Sequence, residues 1–206
     1  MTVELWLAFL VAASILVAIP GPTVMLVVGY AIGEGRRSAW ATVAGVALGD
    51  FTAMTLSMLG LGALLAASAT LFTLLKWIGA AYLVYLGIRL WRAPAVLAVA
   101  ADGPRKRMSS MLAHAFLVTA LNPKSLAFFV AFLPQFMQPA APLLPQMLVL
   151  ESTFLALAIL NASLYAGLAV RLRGVVRKPA VLKAMNRAGG AILVGAGLAT
   201  VALKRG

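Results

Sequence analysis

The sequence predicts an all-α integral membrane protein: six transmembrane helices forming two inverted three-helix repeats, with helices 1 and 4 broken. Three observations carry this. Apolar residues make up 63% of the 206 residues and charged residues 11%, against about 45–50% and about 25% in soluble domains. The 17 Lys and Arg and 5 acids cannot cover the exterior a soluble domain of this size needs. Six stretches reach the roughly 20 apolar residues that span a bilayer, and their runs are continuous rather than alternating, which argues against a β-barrel. Pro-Gly-Pro and Asn-Pro-Lys interrupt two of those stretches.

The spans are Leu5–Val28, Ala39–Leu65, Leu71–Leu90, Ala113–Phe136, Leu143–Val170 and Val181–Leu203. Met1 to Ser14 has no basic leader, so the first run is expected to be a retained helix. Arg36 and Arg37 follow span 1. Arg89, Arg92, Arg105, Lys106 and Arg107 follow span 3, and Arg171, Arg173, Arg177, Lys178, Lys183 and Arg187 follow span 5. The other side holds only Lys76, Lys204 and Arg205. The basic side is expected to be cytoplasmic, which turns both termini outward. One transporter domain, 1–206, results: repeat 1 over about 1–92, a cytoplasmic loop over about 93–111 and repeat 2 over about 112–206. No segment remains for a soluble catalytic domain, so the chain is not expected to be an enzyme. The net charge of +12 belongs to the connectors, where it meets lipid head groups rather than nucleic acid. With no cysteine, disulfides and thiolate metal sites are excluded.

The repeats are read from a shared pattern. Gly79-x-Ala81-x-Leu83-Val84-x-x-Gly87 matches Gly189-x-Ala191-x-Leu193-Val194-x-x-Gly197. Pro20-Gly21-Pro22 answers to Asn122-Pro123-Lys124, and Asp50 to Glu151. Three helices per half is an odd number, so the halves run inverted, an arrangement that in secondary transporters puts the substrate site near the midplane.

Each proline of Pro20-Gly21-Pro22 removes an amide donor and clashes one turn back, while Gly21 removes stiffness. The carbonyls released need protein, water or ligand as partner, so the motif should face a cavity or another helix. Lys124 lies about 16 Å into span 4, where a charge costs at least about 2.5–3.5 kcal/mol; it must pair with a carboxylate or line an aqueous path. Asn122 beside it can bind freed backbone or a substrate carboxylate. Asp50 reaches a similar depth in span 2. An aspartate there is neutral alone and ionised beside lysine or water, the poise a proton-coupled carrier requires. Glu151 is its counterpart in span 5. A structural ion pair is the bland alternative for all three.

Gln135, in Leu133-Pro134-Gln135-Phe136, is a candidate polar contact at the outer mouth. Trp6, Trp40, Trp77, Trp91 and Tyr30 fall near span ends as interface anchors. Tyr82, Tyr85 and Tyr165 sit inside spans and read as core. His114 reads as interfacial, and no second histidine exists for a metal site. Gly45, Gly49, Gly60, Gly62, Gly87, Gly195 and Gly197 are expected to let helices approach closely.

Pro20-Gly21-Pro22, Gly45-x-x-x-Gly49-Asp50, Lys76-x-x-Gly79-Ala80-x-Tyr82-Leu83-x-Tyr85-x-Gly87, Asn122-Pro123-Lys124-x-x-x-Phe128-Phe129 and Leu133-Pro134-Gln135-Phe136 together resemble the LysE/RhtB family of amino-acid exporters over nearly the whole chain. The resemblance implies a bacterial inner-membrane secondary transporter. Its cargo would be an amino acid or close derivative, driven by the membrane potential or proton gradient, with no cofactor or metal. It places weight on Pro20, Gly21, Pro22, Asp50, Asn122, Pro123 and Lys124. In that reading Lys124 and Asn122 hold the substrate carboxylate, with Gln135 as an added contact. Asp50, helped by Glu151, takes the ammonium or the coupling proton, and the halves rock about Pro20–Pro22 and Pro123. Few in-membrane acids argue against a dedicated dibasic cargo. Partners are the amino acid and the lipid bilayer, with a homodimer compatible. The competing readings are a carrier for a metal or organic cation on the same fold, and a non-transport membrane assembly protein or intramembrane enzyme.

Overall fold

A computed structural model describes residues 1–94, 106–138, 141–171 and 178–202. Within them the chain is all-α, with eight helices, a short 3-10 turn and no strand. The helices are α1 (Val3–Ala18), α2 (Pro22–Glu34), α3 (Arg37–Ala67), α4 (Ala69–Trp91), α5 (Met108–Ala120), α6 (Pro123–Ala131), α7 (Leu143–Arg171) and α8 (Pro179–Ala202), with the 3-10 turn at Leu133–Phe136. Most of the expected 93–111 loop, together with Arg105, Arg173, Arg177, Lys204, Arg205 and the side chain of Lys76, lies outside the described residues.

Two unbroken stretches, Arg37–Gly62 and Leu143–Arg171, are long and apolar enough to cross a membrane. Two bent pairs pass the same test: α1 with α2, bent by 52°, and α5 with α6, bent by 41°. Proline chemistry sets both bends. Ile19 and Gly21 each precede a proline and are extended, and α2 begins with Pro22 at its first position, because the residue before proline is pushed out of the helical region. Asn122 is likewise extended, and Pro123 opens α6. Proline at a first helical position loses only an N–H that would be orphaned anyway.

Small residues bring helices together at two seams. A Cβ built on Gly45 would strike the Leu112 carbonyl oxygen, and one on Gly49 would lie 2.8 Å from that of Phe116, so α3 and α5 touch backbone to backbone. At the α4–α8 seam a Cβ on Gly87 would lie 2.6 Å from the Gly190 oxygen and 2.8 Å from Val194. One on Gly197 would lie 2.7 Å from both the Ala80 oxygen and the Val84 side chain. Among the described residues nothing lies within 4 Å of a Cβ on Gly60, Gly62 or Gly195, so the expectation that they aid close approach is not met there.

The two largest apolar clusters among the described residues fill most of the interior. One gathers Phe9, Phe128, Phe129, Phe132, Phe136 and Phe154, with Phe129 edge-on to Phe154 at 5.0 Å between centroids. The other packs Val24, Val27, Val28 and Ala31 against Ala162 and Ala166. Trp6 donates to Thr153 Oγ1 at 3.0 Å and ties α1 to α7. Trp40, Trp77 and Trp91 are exposed.

The readings of the four tyrosines are corrected or refined. Tyr30 is not an interface anchor: it is buried, and its hydroxyl lies 2.9 Å from His114 Nδ1. Tyr82 and Tyr85 are not core. They are exposed on α4, stacked at 5.8 Å, because the seam with α8 takes the glycine face of that helix. Tyr165 is half-buried, and its hydroxyl donates to the Ala18 carbonyl at 2.9 Å.

Candidate functional site

A helix that stops inside a membrane leaves its last carbonyls without intrahelical donors, and hydrocarbon supplies none. At the end of α1 side chains from the second half of the chain supply them. Lys124 Nζ donates to the Leu16 oxygen at 3.0 Å and the Ile19 oxygen at 2.8 Å. Asn161 Nδ2 donates to Val17 at 2.9 Å, and the Tyr165 hydroxyl to Ala18. Four consecutive carbonyls are thus served from α6 and α7. Lys124 is buried on the first turn of α6, the position its proline-started helix dictates.

Asn122 closes the other side of the junction. Its Oδ1 accepts from the Lys124 amide at 3.0 Å, capping α6, and its Nδ2 donates to Thr23 Oγ1 at 3.1 Å on the first turn of α2. Thr23 Oγ1 lies 3.3 Å from Thr119 Oγ1. The two broken spans therefore meet at their breaks. Gly21 sits against the lysine stem: a Cβ there would be 3.5 Å from Lys124 Cε and Nζ. That is ordinary contact, and its extended backbone suits any residue.

These residues surround a cavity of about 30 Å³ that Asp50, Thr23, Val24, Ser125 and Asn161 also line. Asp50 is 5% exposed. Its charge and that of Lys124 are near enough to interact, but no direct ion pair joins them, and no hydrogen bond from the described residues reaches the carboxylate. A buried polar side chain normally has such a partner; this one presents its oxygens to the cavity. Lys124 has three donors and spends two on carbonyls, which leaves one. The N-terminus of α2 has no side-chain cap and no donor at Pro22, and Thr23 and Val24 bring its partial positive charge to the same wall. Both signs of charge thus border one small cavity.

Asp50, Asn122 and Lys124 line one cavity, beside the Pro20–Pro22 and Pro123 breaks. Gln135 does not line this cavity; its Nε2 turns back to the Ala131 oxygen at 3.0 Å. Nor does Glu151, which is buried and accepts the Thr55 hydroxyl, joining α7 to α3. Reasoning from sequence missed Asn161, although an amide amid the apolar run of span 5 was the available signal, and it stands one turn before Tyr165. Among the described residues no cluster of His, Asp or Glu could hold a metal.

Comparison with known proteins adds relatives. A homoserine/homoserine lactone efflux protein of Salmonella typhi is 36% identical over 202 residues, covering 97% of this chain and 98% of that protein. An uncharacterized membrane protein of Vibrio cholerae is 35% identical over 198 residues, covering 96% and 97%. A leucine efflux protein of an Enterobacter species is 31% identical over 134 residues, covering 65% and 64%. No solved structure matches significantly. The LysE type translocator profile matches residues 14–203, and the chain belongs to that family.

Proposed function

We propose that this protein is a secondary exporter of an amino acid or close derivative across the bacterial inner membrane, working by alternating access and coupled to the proton-motive force. The observation that carries the reading is the cavity where two broken helices meet, bordered by a buried lysine and an aspartate that no hydrogen bond from the described residues holds. A zwitterion needs both charges. Its carboxylate would take the third Lys124 donor and the free amides of α2. Its ammonium, or the coupling proton, would go to Asp50. Asn122 makes one hydrogen bond through each amide atom, which holds the breaks together and leaves its second Nδ2 hydrogen for the substrate carboxylate. Glu151 and Gln135 would act outside the pocket, Glu151 by fastening α7 to α3. The names of the relatives, homoserine, homoserine lactone and leucine efflux, support an amino-acid cargo.

Six spans in two inverted repeats complete the proposal, with α4 and α8 as spans 3 and 6 of a single domain. The α4–α8 seam supports it. The sequence repeat equates Ala80, Val84 and Gly87 with Gly190, Val194 and Gly197. Exchanging equivalents turns the contact of Gly87 with Gly190 and Val194 into that of Gly197 with Ala80 and Val84, and both contacts occur. A pseudo-two-fold axis between antiparallel helices has this property. A cavity of about 30 Å³ holds one or two waters and no amino acid, so loading requires the halves to part at the breaks.

Growth rescue tests the reading. In cells lacking their own exporters, expression should confer resistance to homoserine or a leucine-containing dipeptide, with the amino acid appearing in the medium. Resistance to metal or organic cations alone would overturn it.

A further inference from the structure

Lys124 borders two cavities. The second, about 290 Å³, also touches Gly21 and Pro22 of one break and Asn122 and Pro123 of the other. Leu86, Leu90 and Leu193 give it apolar walls, and Arg89 lies near the end of α4. Its volume is about that of a small ligand pocket, whereas the cavity shared with Asp50 is far smaller. Its charge differs too: among the described residues two cations, Arg89 and Lys124, line it and no acid does. Among the described residues no hydrogen bond or ion pair occupies the Arg89 guanidinium. An anionic group is drawn into such a space and a bare cation repelled.

We propose that this chamber is a loading site for the carboxylate of the substrate, and that Arg89 is its specificity-determining residue. It rests on the amino-acid reading above. The carboxylate enters first and is held by the guanidinium fork, a geometry that suits a carboxylate better than an ammonium point charge does. The substrate then passes to Lys124, which is common to both cavities, and its ammonium reaches Asp50 last. Arg89 thereby separates amino acids with a free carboxylate from lactones and esters, which lack one. Its place next to the basic connectors makes this the chamber of the expected cytoplasmic side.

The chain has no cysteine, so Leu86→Cys puts a single reporter thiol in the chamber. An anionic methanethiosulfonate should label it faster than a cationic one. Homoserine should protect it and homoserine lactone should not. Adding Arg89→Gln should slow the anionic reaction about tenfold and remove the protection, while Arg89→Lys should restore the rate preference but not the full protection. In proteoliposomes Arg89→Gln should lower the ratio of KM for the lactone to KM for homoserine about tenfold. Equal labelling by both reagents, equal protection by acid and lactone, or an unchanged KM ratio would overturn the assignment. Wild-type proteoliposomes that carry no amino acid would instead remove the export reading, and the charge preference of the thiol would still decide whether Arg89 makes this an anion chamber.

Discussion

A buried lysine that donates to two main-chain carbonyls has a structural task as well as an electrostatic one. Lys124→Met removes the side-chain donors to Leu16 and Ile19; Leu16 keeps the Ile19 amide at 3.2 Å, and the orphaned Ile19 acceptor costs about 1–3 kcal/mol. The variant should insert in the membrane, unfold at lower temperature in detergent and export nothing; normal efflux from it would refute its role in the site. Asp50 is different, because no hydrogen bond from the described residues holds it. Asp50→Asn keeps the shape and removes only the titrating charge. It should melt close to wild type, while its flux in liposomes loses the dependence on an imposed pH gradient. Flux that follows the gradient as in wild type would make Asp50 structural.

At the scale of helices, the breaks were legible because proline acts on its own backbone: it removes a donor and extends the residue before it whatever the surroundings. Which glycines form seams was not legible, since that depends on a neighbour. Gly45 and Gly60 lie in the same helix, yet a side chain at the first strikes the Leu112 carbonyl and at the second meets open space. Gly45→Val should therefore abolish stable expression, with the α3–α5 seam forced apart, and Gly60→Val should leave yield and melting temperature within experimental scatter. Fluorescence size-exclusion profiles separate the two. Equal behaviour would mean that the seam does not hold the fold.

For the whole molecule the decisive quantity is orientation, which the basic connectors predict through the positive-inside rule. Thr2 and Ser109 are both exposed and belong to opposite predicted sides. On this cysteine-free background, Thr2→Cys should react with a membrane-impermeant maleimide in intact cells, and Ser109→Cys only after permeabilisation. The reverse pattern would invert the direction of transport and place the Arg89 chamber outside.

Composition alone was enough for membrane class and helical content, and proline placement was enough for the two breaks and for the buried charges beside them, because each follows from the cost of polar groups in hydrocarbon. Which carbonyls Lys124 serves, the joining of Asn161 and Tyr165 to the same helix end, the turning of Gln135 and Glu151 away from the cavity and the outward stacking of Tyr82 and Tyr85 emerged only in three dimensions. The reason is rotational. In a soluble helix an apolar stripe marks the buried face, but here lipid-facing and core-facing sides are both apolar, so sequence reports the depth of a residue and packing alone selects the direction in which it points.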